Sequence, residues 1–413
     1  MDNMIEIAIL GYGVVGSGVA EVCQMNQDII RQRAGKVVHI KRILDIRDFP
    51  GDPFADRITH DPADIFDDPS ISVVVETIGG AGIAYEMSRK ALLHRKHVVT
   101  SNKELVATYG PELMALAREQ GVSYMFEASV GGGIPIVRPL HKCLSANEIE
   151  MIAGILNGTT NYILTRMEQS GVDFAAALAE AQSLGYAEKN PTADIEGLDT
   201  CRKIAILSSI TFSEFIDSRL IYTEGIAGIT AADMAYARQM DCKIKLLGCF
   251  RRRENRMADL IVAPMLIPRQ HPVAVADDVF NAILVQGNAL GDAMFYGRGA
   301  GKLPTASAVV ADVIECVMHL DKIPHLVPWS KPDRPIILPH ADCQVKALLR
   351  LSRSIPAAAI EAALAGYGLE WLKALDDREW AVVAGSHGHL TEAGLADVLA
   401  AWGSQVISRI RIF

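Results

Sequence analysis

The sequence predicts an α/β protein with a doubly wound parallel sheet at its N-terminus, a second α+β region and a smaller C-terminal region. Apolar runs of strand length alternate with helical patterns over roughly the first 140 residues, which is typical of parallel sheets whose strands are joined by helices. A glycine-rich turn follows the first run. At roughly 150 residues per domain, the 413 residues correspond to two or three domains. All four tryptophans lie near the C-terminus, which indicates a separate unit there: Trp329, Trp371, Trp380 and Trp402.

Composition and charge exclude several classes of protein. The chain is 50% hydrophobic and 22% charged, as in globular proteins and unlike disordered or collagen-like ones. Its net charge of −9, without a strong basic run, argues against nucleic-acid binding. No apolar run reaches the roughly 18 residues of a membrane span, and the N-terminus is acidic where a signal peptide would be basic. The seven cysteines include no C-x-x-C pair, so we expect reduced thiols in a cytoplasmic protein.

Five apolar segments predict the strands of the N-terminal sheet. The strands are Ile5–Leu10, Lys36–Leu44, Ile71–Val75, His97–Thr100 and Val122–Glu127, and the clearest helices between them are Ala84–His94 and Glu104–Glu119. Ligands of such sheets bind beyond the carboxyl ends of the strands. That rule selects three loops rich in small or polar residues: Thr77–Gly82, Thr100–Lys103 and Glu127–Gly133.

The turn after the first strand has the G-x-G-x-x-G pattern of dinucleotide-binding (Rossmann) domains. Gly11 allows a tight turn, Gly13 lets a pyrophosphate approach the backbone, and Gly16 permits close packing of helix on strand. Val14 and Val15 lie between the glycines, where the free N–H groups of the helix start would face the phosphates. The alternative is a glycine-rich turn in another βαβ unit.

The end of the second strand leaves the choice of nicotinamide cofactor open. NAD sites place an acid there to bind the ribose 2′-hydroxyl, whereas NADP sites use an arginine. The strand ends in Asp45, Ile46, Arg47 and Asp48, which offer both. We therefore expect NAD or NADP, with Arg47 among the cofactor-binding residues, against the alternative of a solvated turn.

Several acids and a lysine crowd together between residues 188 and 203. Asp199 and Lys203 are four residues apart on a predicted helix and share a face, so a surface ion pair is the simplest interpretation. Their position beside Gly and Pro turns favours a polar pocket instead. Beside a nicotinamide, a lysine ammonium can protonate the alkoxide that hydride transfer leaves on a carbonyl. Lys103 and Lys203 are the two candidates for that role, while Glu188 and Asp199 are suited to hold a substrate ammonium.

A series of motifs spread over two domains makes the sequence recognisable. They are Gly11–Gly18, Ser101–Lys103, Glu127–Pro135, Gly154–Asn161, Gly185–Glu188, Asp194–Lys203 and Gly299–Ala308. In this order they resemble homoserine dehydrogenase, which interconverts aspartate 4-semialdehyde and homoserine with NAD(P)(H). The resemblance covers about residues 4–320. It implies an oxidoreductase with a small-molecule substrate, in the pathway to threonine, methionine and isoleucine.

The resemblance implies roles for individual residues of the substrate pocket. Lys203 matches the proton-donating lysine of the family, and Lys103 matches the lysine near nicotinamide and substrate. Glu188 matches the acid that binds the homoserine amino group, and Asp199 and Asp194 belong to the same pocket.

The resemblance also implies cofactor and cation sites. The positions expected beside the cofactor are Thr77, Thr100, Ser101, Lys103 and Gly301, the last in a segment that returns the chain to the nucleotide domain. The family binds a sodium-like cation near the domain junction. Its carboxylate ligand matches Glu127, and its backbone carbonyl ligands match Val130, Gly132 and Ile134. Oxygen ligands on a glycine-rich loop suit a hard cation.

The C-terminal region predicts a third domain after a linker rich in Pro and polar residues, His325–Pro339. Its elements are a strand (Gln344–Leu351), a helix (Pro356–Ala365), strands (Leu369–Leu375 and Trp380–Ala384), a helix (Glu392–Ala401) and a strand (Val406–Phe413). This βαββαβ order is typical of a ferredoxin-like fold and resembles the ACT regulatory domain of many homoserine dehydrogenases. ACT domains usually carry an Asp and a Gly after the first strand, and Ser352–Pro356 has neither. Threonine binding and a purely oligomerising role therefore stay open.

These observations predict four parts of the chain. They are a Rossmann domain at 1–136 with a return segment at 299–320, a catalytic and dimerisation domain at 137–298, a linker at 321–340 and an ACT-like domain at 341–413. Apolar stretches in the second part (Lys245–Phe250, Leu260–Leu266 and Asn281–Val285) predict antiparallel strands that could mediate a dimer. A homodimer or homotetramer is expected because closed symmetric assemblies are commonest.

Two competing functions fit the sequence less well. An aspartate-semialdehyde dehydrogenase would need a nucleophilic cysteine to form a thioester, and the three predicted crevice loops contain none. A non-catalytic NAD(P)-sensing protein with an amino-acid-binding tail is disfavoured by the joint presence of Lys103, Glu188 and Lys203.

Overall fold

The computed structural model describes residues 4–320 and 329–413. Residues 321–328, part of the predicted linker, lie outside these ranges. The first 148 residues show the predicted alternation of strands and helices. The strands are β1 (Met4–Leu10), β2 (Val37–Leu44), β3 (Ile58–Thr59), β4 (Ile71–Glu76), β5 (His97–Thr100) and β6 (Tyr124–Met125). The helices are α1 (Val14–Met25), α2 (Gln27–Ala34), α3 (Ala63–Phe66), α4 (Gly82–Leu93) and α5 (Lys103–Gln120).

These six strands form one parallel sheet in the order β3-β2-β1-β4-β5-β6, which confirms the predicted parallel sheet. The strand order reverses between β1 and β4, which is where sheets of this kind bind dinucleotides. The predicted fifth strand, Val122–Glu127, is too long. Pairing is limited to Tyr124–Met125, because Glu127 begins a tight 3-10 turn that ends at Ser129. The two-residue strand β3 is too short to leave an apolar run in the sequence.

Residues 149–320 contribute a mixture of strands and helices. The strands are β7 (Ile149–Ile155), β8 (Tyr222–Thr223), β9 (Cys242–Arg253), β10 (Met257–Pro268), β11 (Phe280–Gly287) and β12 (Gly291–Arg298). The helices are α6 (Gly158–Ser170), α7 (Phe174–Ser183), α8 (Thr192–Ile195), α9 (Leu198–Phe212), α10 (Ala231–Gln239) and α11 (Lys302–Met318). The three strands predicted in this region are confirmed as β9, β10 and β11, and each is longer than predicted.

The C-terminal elements follow the predicted β-α-β-β-α-β order. They are β13 (Ala347–Ser352), α12 (Ala357–Leu364), β14 (Leu369–Trp371), β15 (Glu379–Ala384), α13 (Glu392–Trp402) and β16 (Val406–Ile412). Their strands pair antiparallel in the order β16-β13-β15-β14. The predicted strand Leu369–Leu375 is too long, since its pairing with β15 ends at Trp371.

The tail strands continue a larger sheet instead of forming one of their own. Strand β16 pairs in parallel with β10, Met265 opposite Arg411 and Leu266 opposite Ile412. The resulting ten-stranded sheet has the order β12-β11-β7-β9-β10-β16-β13-β15-β14, with β8 beside β10. This junction is only two residue pairs long, so it is too short to be predicted from a hydrophobic pattern in the sequence.

Two buried arginines tie the tail to neighbouring elements. Arg350 on β13 donates to Asp233 at the start of α10 over 2.9 Å. Arg411 on β16 donates to Glu392 on α13 over 2.5 Å and to Glu224, which follows β8, over 2.6 Å. Buried guanidinium groups need such carboxylate partners, because an unpaired buried charge is strongly destabilising. The tail is therefore held by ion pairs as well as by strand pairing.

The chain divides into two compact units. Of the described residues, the first unit comprises 4–148, 205–218, 295–320 and 329–333, and the second comprises 149–204, 219–294 and 334–413. The core of the first unit lies among β1, β4, α1 and α11. The second unit has one core against β7, β9, β10 and β11 and another between the tail strands and helices α12 and α13. Across the described residues, the structure contains no helix with the length and apolar character needed to span a membrane.

Candidate active site

The turn between β1 and α1 is fixed by the strands on either side of it. The Gly11 N–H donates to the carbonyl of Leu44 over 2.8 Å. On the other side, the Thr77 hydroxyl donates to the carbonyls of Gly11 (2.8 Å) and Leu10 (3.0 Å). Gly11 has a φ of +89°, a left-handed conformation that favours glycine. The structure thus brings together Gly11 and Thr77, two of the residues that the sequence analysis assigned to the cofactor.

Gly13 lies beside open space, whereas Gly16 is closely packed against the preceding turn. A Cβ added at Gly13 would meet no protein atom within 4 Å, whereas a Cβ added at Gly16 would overlap the Gly11 carbonyl oxygen. Gly13 is the N-cap of α1 and has no side chain that could accept from the first N–H groups of the helix, beside Val14 and Val15. Open space and unsatisfied N–H groups at a helix start fit a pyrophosphate.

An acid and an arginine are paired at the end of β2. The Asp45 carboxylate accepts a hydrogen bond from the Tyr12 N–H over 2.7 Å, and Arg47 Nε and a terminal nitrogen of its guanidinium donate to it over 3.0 and 3.1 Å. The Arg47 guanidinium is the main reason that the pKa of Asp45 falls to about 2. The Arg47 side chain remains 58% exposed. Both residue types that recognise the 2′ position of a dinucleotide are therefore present and are bound to each other.

The loops after β4 and β5 carry the next group of predicted residues. Thr100 is buried at the end of β5, while Ser101 and Lys103 are half-buried. Helix α5 begins at Lys103 because the Asn102 side chain caps it, accepting hydrogen bonds from the backbone N–H groups of residues 104 and 105. Thr100 donates to the carboxyl group of Glu76.

Glu76 was not selected from the sequence, although its carboxyl group contacts two of the three predicted crevice loops, at Ile78 and Thr100. Its side chain is 0% exposed at the end of β4. Burial raises the pKa of Glu76 to about 7. A carboxylate directly after an apolar strand was the available signal, because an ionisable group is rarely buried at such a position without a specific role.

Gly301 precedes α11, the helix that packs along α1. It has a φ of +127°, and its carbonyl accepts the Thr305 N–H over 3.1 Å as α11 begins. Lys302 forms a 2.7 Å ion pair with Glu21 on α1. A Cβ at Gly18 would lie 2.9 Å from Lys302 atoms, so the two helices approach each other closely. The predicted return segment therefore packs beside the glycine-rich turn within the first unit.

In the second unit the structure assembles a buried polar cluster around Lys203. Lys203 Nζ donates to Asp199 over 2.7 Å and to the Leu156 carbonyl over 2.6 Å. The Asn157 amide donates to the same Asp199 oxygen over 2.8 Å and to Asp194 over 2.7 Å. Asp199 and Lys203 are only 3% and 7% exposed. Asp199 and Lys203 therefore form a buried ion pair, and the alternative of a surface ion pair is wrong.

Asn157 is the member of this cluster that the sequence analysis did not select. Its carbonyl-type side-chain oxygen caps α6 by accepting the Thr160 N–H over 2.9 Å, which leaves its amide nitrogen to donate to the two aspartates. The sequence signal was present, since an asparagine between an apolar strand and a helix is a typical N-cap. The Asn157 side chain thus both caps α6 and orients the two aspartates.

Glu188 lies in the same unit but is exposed, and no contact joins its side chain to the cluster among the described residues. Its backbone carbonyl accepts a hydrogen bond from the Gln182 side chain over 3.0 Å. The nearby Tyr186 carbonyl accepts the Thr159 hydroxyl over 2.6 Å, which holds the Glu188 loop to the start of α6.

The carboxylate of Glu127 is occupied by donors. One oxygen accepts the N–H groups of Ile136 and Val137 over 2.7 and 2.9 Å, and the other accepts the N–H of Arg138 over 2.7 Å and its Nε over 3.4 Å. A carboxylate surrounded by N–H donors fits a cation poorly, because both its oxygens face positive partial charges. The expected carboxylate ligand is therefore not supported by the geometry.

The three backbone carbonyls of the expected cation site differ from the Glu127 carboxylate in their hydrogen bonding. Within residues 4–320 and 329–413, the carbonyls of Val130, Gly132 and Ile134 accept no hydrogen bond. Neutral carbonyl oxygens are suitable ligands for a hard cation. Among the same residues, His, Cys, Asp and Glu side chains do not gather in any group of three that could hold a metal ion.

Comparisons with protein families match most of the chain. Residues 11–127 match the family described as homoserine dehydrogenase, NAD binding domain, and residues 135–314 match the family described as homoserine dehydrogenase. A homoserine dehydrogenase from Pseudomonas aeruginosa is 44% identical over 355 residues, which cover 84% of this chain and 81% of that protein. One from Bacillus subtilis is 42% identical over 320 residues, covering 76% of this chain and 73% of that protein.

Solved structures give the same result. A homoserine dehydrogenase from Thiobacillus denitrificans superposes with a TM-score of 0.90 at 39% identity, covering 99% of this chain and 98% of the other. One from S. aureus gives a TM-score of 0.81 at 33% identity, covering 99% of both chains. A hyperthermophilic archaeal homoserine dehydrogenase in complex with NADPH gives 0.66 at 27% identity, covering 78% of this chain and 100% of that one. The first two matches extend over the C-terminal region as well.

Proposed function

This chain belongs to the homoserine dehydrogenase family and is an NAD(P)-dependent oxidoreductase, and we propose that the cluster around Lys203 binds homoserine and moves its hydroxyl proton. The observation that carries this proposal is the buried Lys203 ammonium, held between Asp199 and the Leu156 carbonyl. A buried lysine fixed at two points has the rigidity that a proton donor needs.

The chemistry requires a group that exchanges one proton with the substrate oxygen. The bound nicotinamide supplies the hydride donor or acceptor. In the reducing direction Lys203 Nζ gives a proton to the alkoxide formed at the aldehyde carbon, and in the oxidising direction the neutral amine takes that proton from homoserine. Asp199 stabilises the protonated lysine, and Asn157 orients Asp199. The remaining carboxylates, Asp194 in the cluster and Glu188 on the exposed loop, are suited to the substrate ammonium.

The activity is tested by giving the purified protein homoserine with NAD and, separately, with NADP. Reduced nicotinamide should form with at least one of the two dinucleotides, and its absorbance is used to follow the reaction. Aspartate 4-semialdehyde should be the other product. Serine and threonine are the matched controls, because they carry the same ammonium and carboxylate on a shorter or branched chain. A protein that reduces neither NAD nor NADP in the presence of homoserine would not have the proposed function.

We infer that the Asp45–Arg47 pair serves both dinucleotides. Replacing Arg47 by alanine should raise the Kd for NADP about tenfold, because a hydrogen bond to a charged group is worth about 1.5–3 kcal/mol. The Kd for NAD should change less than about threefold, since the freed Asp45 carboxylate can accept the ribose 2′-hydroxyl. Binding is measured with the reduced forms, NADPH and NADH, by titration of their nicotinamide fluorescence. Arg31→Ala, an exposed arginine on α2 of the same unit, controls for the loss of charge. Equal losses for both dinucleotides would contradict the assignment.

We propose that the C-terminal region is an ACT-like domain with ferredoxin-like topology and an oligomerising role. The order of its elements and the antiparallel order β16-β13-β15-β14 support this assignment. The loop after β13 is closed by its own contacts. The Arg353 N–H donates to the Arg378 carbonyl over 2.9 Å, and the Arg353 guanidinium lies 3.6 Å from the centre of the Trp380 ring. These contacts lie in the loop in which ACT domains usually carry an Asp and a Gly, and this supports a role without an effector.

We therefore expect threonine to change neither turnover nor tail fluorescence. Trp371, Trp380 and Trp402 lie in the tail, but Trp329 packs against Phe126 in the first unit with ring centres 5.4 Å apart. Emission should thus be recorded in a Trp329→Phe background, in which only the tail contributes. A threonine-dependent change in emission that saturates, accompanied by inhibition, would show an effector site and contradict the oligomerising role.

We also propose that the protein is a closed oligomer, binds a monovalent cation and works in the cytoplasm. A dimer or tetramer is supported by β12, an edge strand of the ten-stranded sheet with Met294 and Tyr296 exposed at 40% and 50%. The open carbonyls of Val130, Gly132 and Ile134 support a monovalent cation, bound without the Glu127 carboxylate. All seven cysteines are free, which supports a reducing compartment such as the cytoplasm. A role in threonine, methionine and isoleucine biosynthesis rests on the family.

A further inference from the structure

A closed ring of hydrogen bonds joins two of the predicted crevice loops, Thr77–Gly82 and Thr100–Lys103, within the first unit. Thr100 Oγ1 donates to one Glu76 carboxyl oxygen over 2.5 Å, and the Ile78 N–H donates to the other over 2.6 Å. The Asn102 N–H donates to Thr100 Oγ1 over 2.9 Å, and the Asn102 amide donates to the Ile78 carbonyl over 3.0 Å. The ring therefore runs from Glu76 through Thr100, Asn102 and Ile78 and returns to Glu76.

Glu76 is the acceptor at which both branches of the ring end. Strand pairing places it beside Leu10 on β1 and Thr100 on β5, next to the point where the strand order reverses. The Glu76 carboxyl group has two oxygens, and one accepts from Thr100 while the other accepts from the Ile78 N–H. An apolar side chain at this position would leave the buried Thr100 hydroxyl and the partly buried Ile78 N–H without this acceptor, which costs free energy for each of them.

The ring also controls where α5 begins. Asn102 is both a ring member and the N-cap of α5, and Lys103 is the first residue of that helix. A second bond from the Asn102 amide, to the Gly80 carbonyl over 2.7 Å, extends the connection along the Ile78–Gly80 loop. The position of Lys103 relative to that loop is thus set by the hydrogen bonds of Glu76, Thr100 and Asn102.

We propose that Glu76 is a positioning residue which, through this ring, holds Lys103 and the start of α5 against the Ile78–Gly80 loop, so that the dinucleotide meets a preformed crevice. The inference rests on the proposed binding of a dinucleotide at the Gly11–Gly16 turn. It assigns to Glu76 no contact with substrate or cofactor. Preorganisation of this kind matters because small displacements of a positioned group reduce turnover strongly.

The electrostatic surroundings of Glu76 agree with a role that depends on its hydrogen bonds. Leu10, Thr100 and Ile78 are uncharged, and the titratable neighbour is Tyr124 on β6, whose fully buried hydroxyl has no partner among the described residues. Burial raises the pKa of Glu76 to about 7 from its usual 4.5. The folded state then binds a proton that the unfolded state has lost, so the free energy of unfolding should fall as the pH rises from about 4.5 to about 7. Glu76→Gln should lack this fall.

The test compares Glu76→Ala with the near-isosteric Glu76→Gln. Glu76→Ala should raise the Kd for the dinucleotide about tenfold and lower kcat about tenfold, with the KM for homoserine within about twofold. Glu76→Gln keeps one acceptor and stays near the same size, so it should retain dinucleotide affinity within about threefold. In the absence of any ligand, the amide hydrogens of Ile78 and Asn102 should exchange faster in Glu76→Ala than in the wild type.

Two further variants separate positioning from damage to the fold. Thr100→Val breaks the ring at the next member, so its effect on the Kd should not add to that of Glu76→Ala in the double variant. His97→Asn disturbs a buried polar residue at the opposite end of β5 and should leave the Kd within about twofold. Additive effects of the first pair, or an unchanged Kd in Glu76→Ala, would overturn the inference. A wild-type protein that binds no dinucleotide would instead overturn the proposed function.

Discussion

Replacing Lys203 by alanine should reduce kcat for homoserine oxidation by about 10²- to 10⁴-fold, the usual contribution of a positioned acid or base. The dinucleotide binds in the first unit, whereas Lys203 and its partner Asp199 belong to the second, so the Kd for the dinucleotide should stay within about twofold. The expected signature is therefore a large loss of turnover without a loss of cofactor affinity. Steady-state kinetics and fluorescence titration of the same preparation measure both quantities.

Stability must be followed in the same variant, because Lys203→Ala leaves the Asp199 carboxylate buried without its ammonium partner. Breaking a buried pair in this way costs about 3–5 kcal/mol. Rates are therefore compared at a temperature at which circular dichroism shows the variant folded. Lys373→Ala, at an exposed lysine of the tail, is the matched control and should retain the wild-type kcat. A Lys203→Ala enzyme with wild-type kcat would remove Lys203 from the mechanism.

Replacing Gly13 by alanine should weaken dinucleotide binding without damaging the fold. The added Cβ meets no protein atom, and the φ of Gly13 is −79°, which alanine adopts freely. The methyl group occupies the space where the pyrophosphate approaches the backbone, and one such group in a tight site costs roughly 10- to 200-fold in affinity. The free energy of unfolding should change by less than about 1 kcal/mol. Calorimetric titration and urea unfolding measure the two effects.

Gly16→Ala is the matched comparison, because the same chemical change is made three residues away. Alanine favours helices over glycine by about 1 kcal/mol, so helix propensity alone would stabilise this variant. The new Cβ would instead overlap the Gly11 carbonyl oxygen, and relieving such a clash costs about 1–3 kcal/mol or more. We expect lower stability and lost binding together. The account of the turn would be wrong if Gly13→Ala unfolded while Gly16→Ala did not.

Local patterns predicted those parts of the fold that local interactions determine. The strand before Gly11, the glycine spacing and the helix after it identify a dinucleotide site, because the turn is made by residues adjacent in the chain. The spacing of Asp199 and Lys203 predicted their pairing on one helix, and the ion pair is present at 2.7 Å. The sequence alone left the burial of this pair open, because burial depends on distant elements such as strand β7, which ends at Ile155.

Features that depend on contacts between distant segments were not predictable in the same way. The ring at Glu76 needs two neighbouring strands to end side by side, and the tail joins the larger sheet through only two pairs near Met265. Trp329 was assigned to a linker, yet it packs against Gly110, where a Cβ would come within 2.8 Å of its ring. The occupied carboxylate of Glu127 likewise results from three consecutive N–H groups that only the folded chain presents to it.

Chemical rescue of Lys203→Ala by small amines tests the central claim, that Lys203 Nζ carries the transferred proton. Ammonium and methylamine fit the space left by the removed side chain and can take over the proton transfer without the covalent link. Both amines should raise kcat of the variant at least about tenfold in a saturable manner, with no effect on Lys373→Ala or the wild type. If neither amine changes kcat while the variant is folded and binds the dinucleotide normally, Lys203 does not carry the proton.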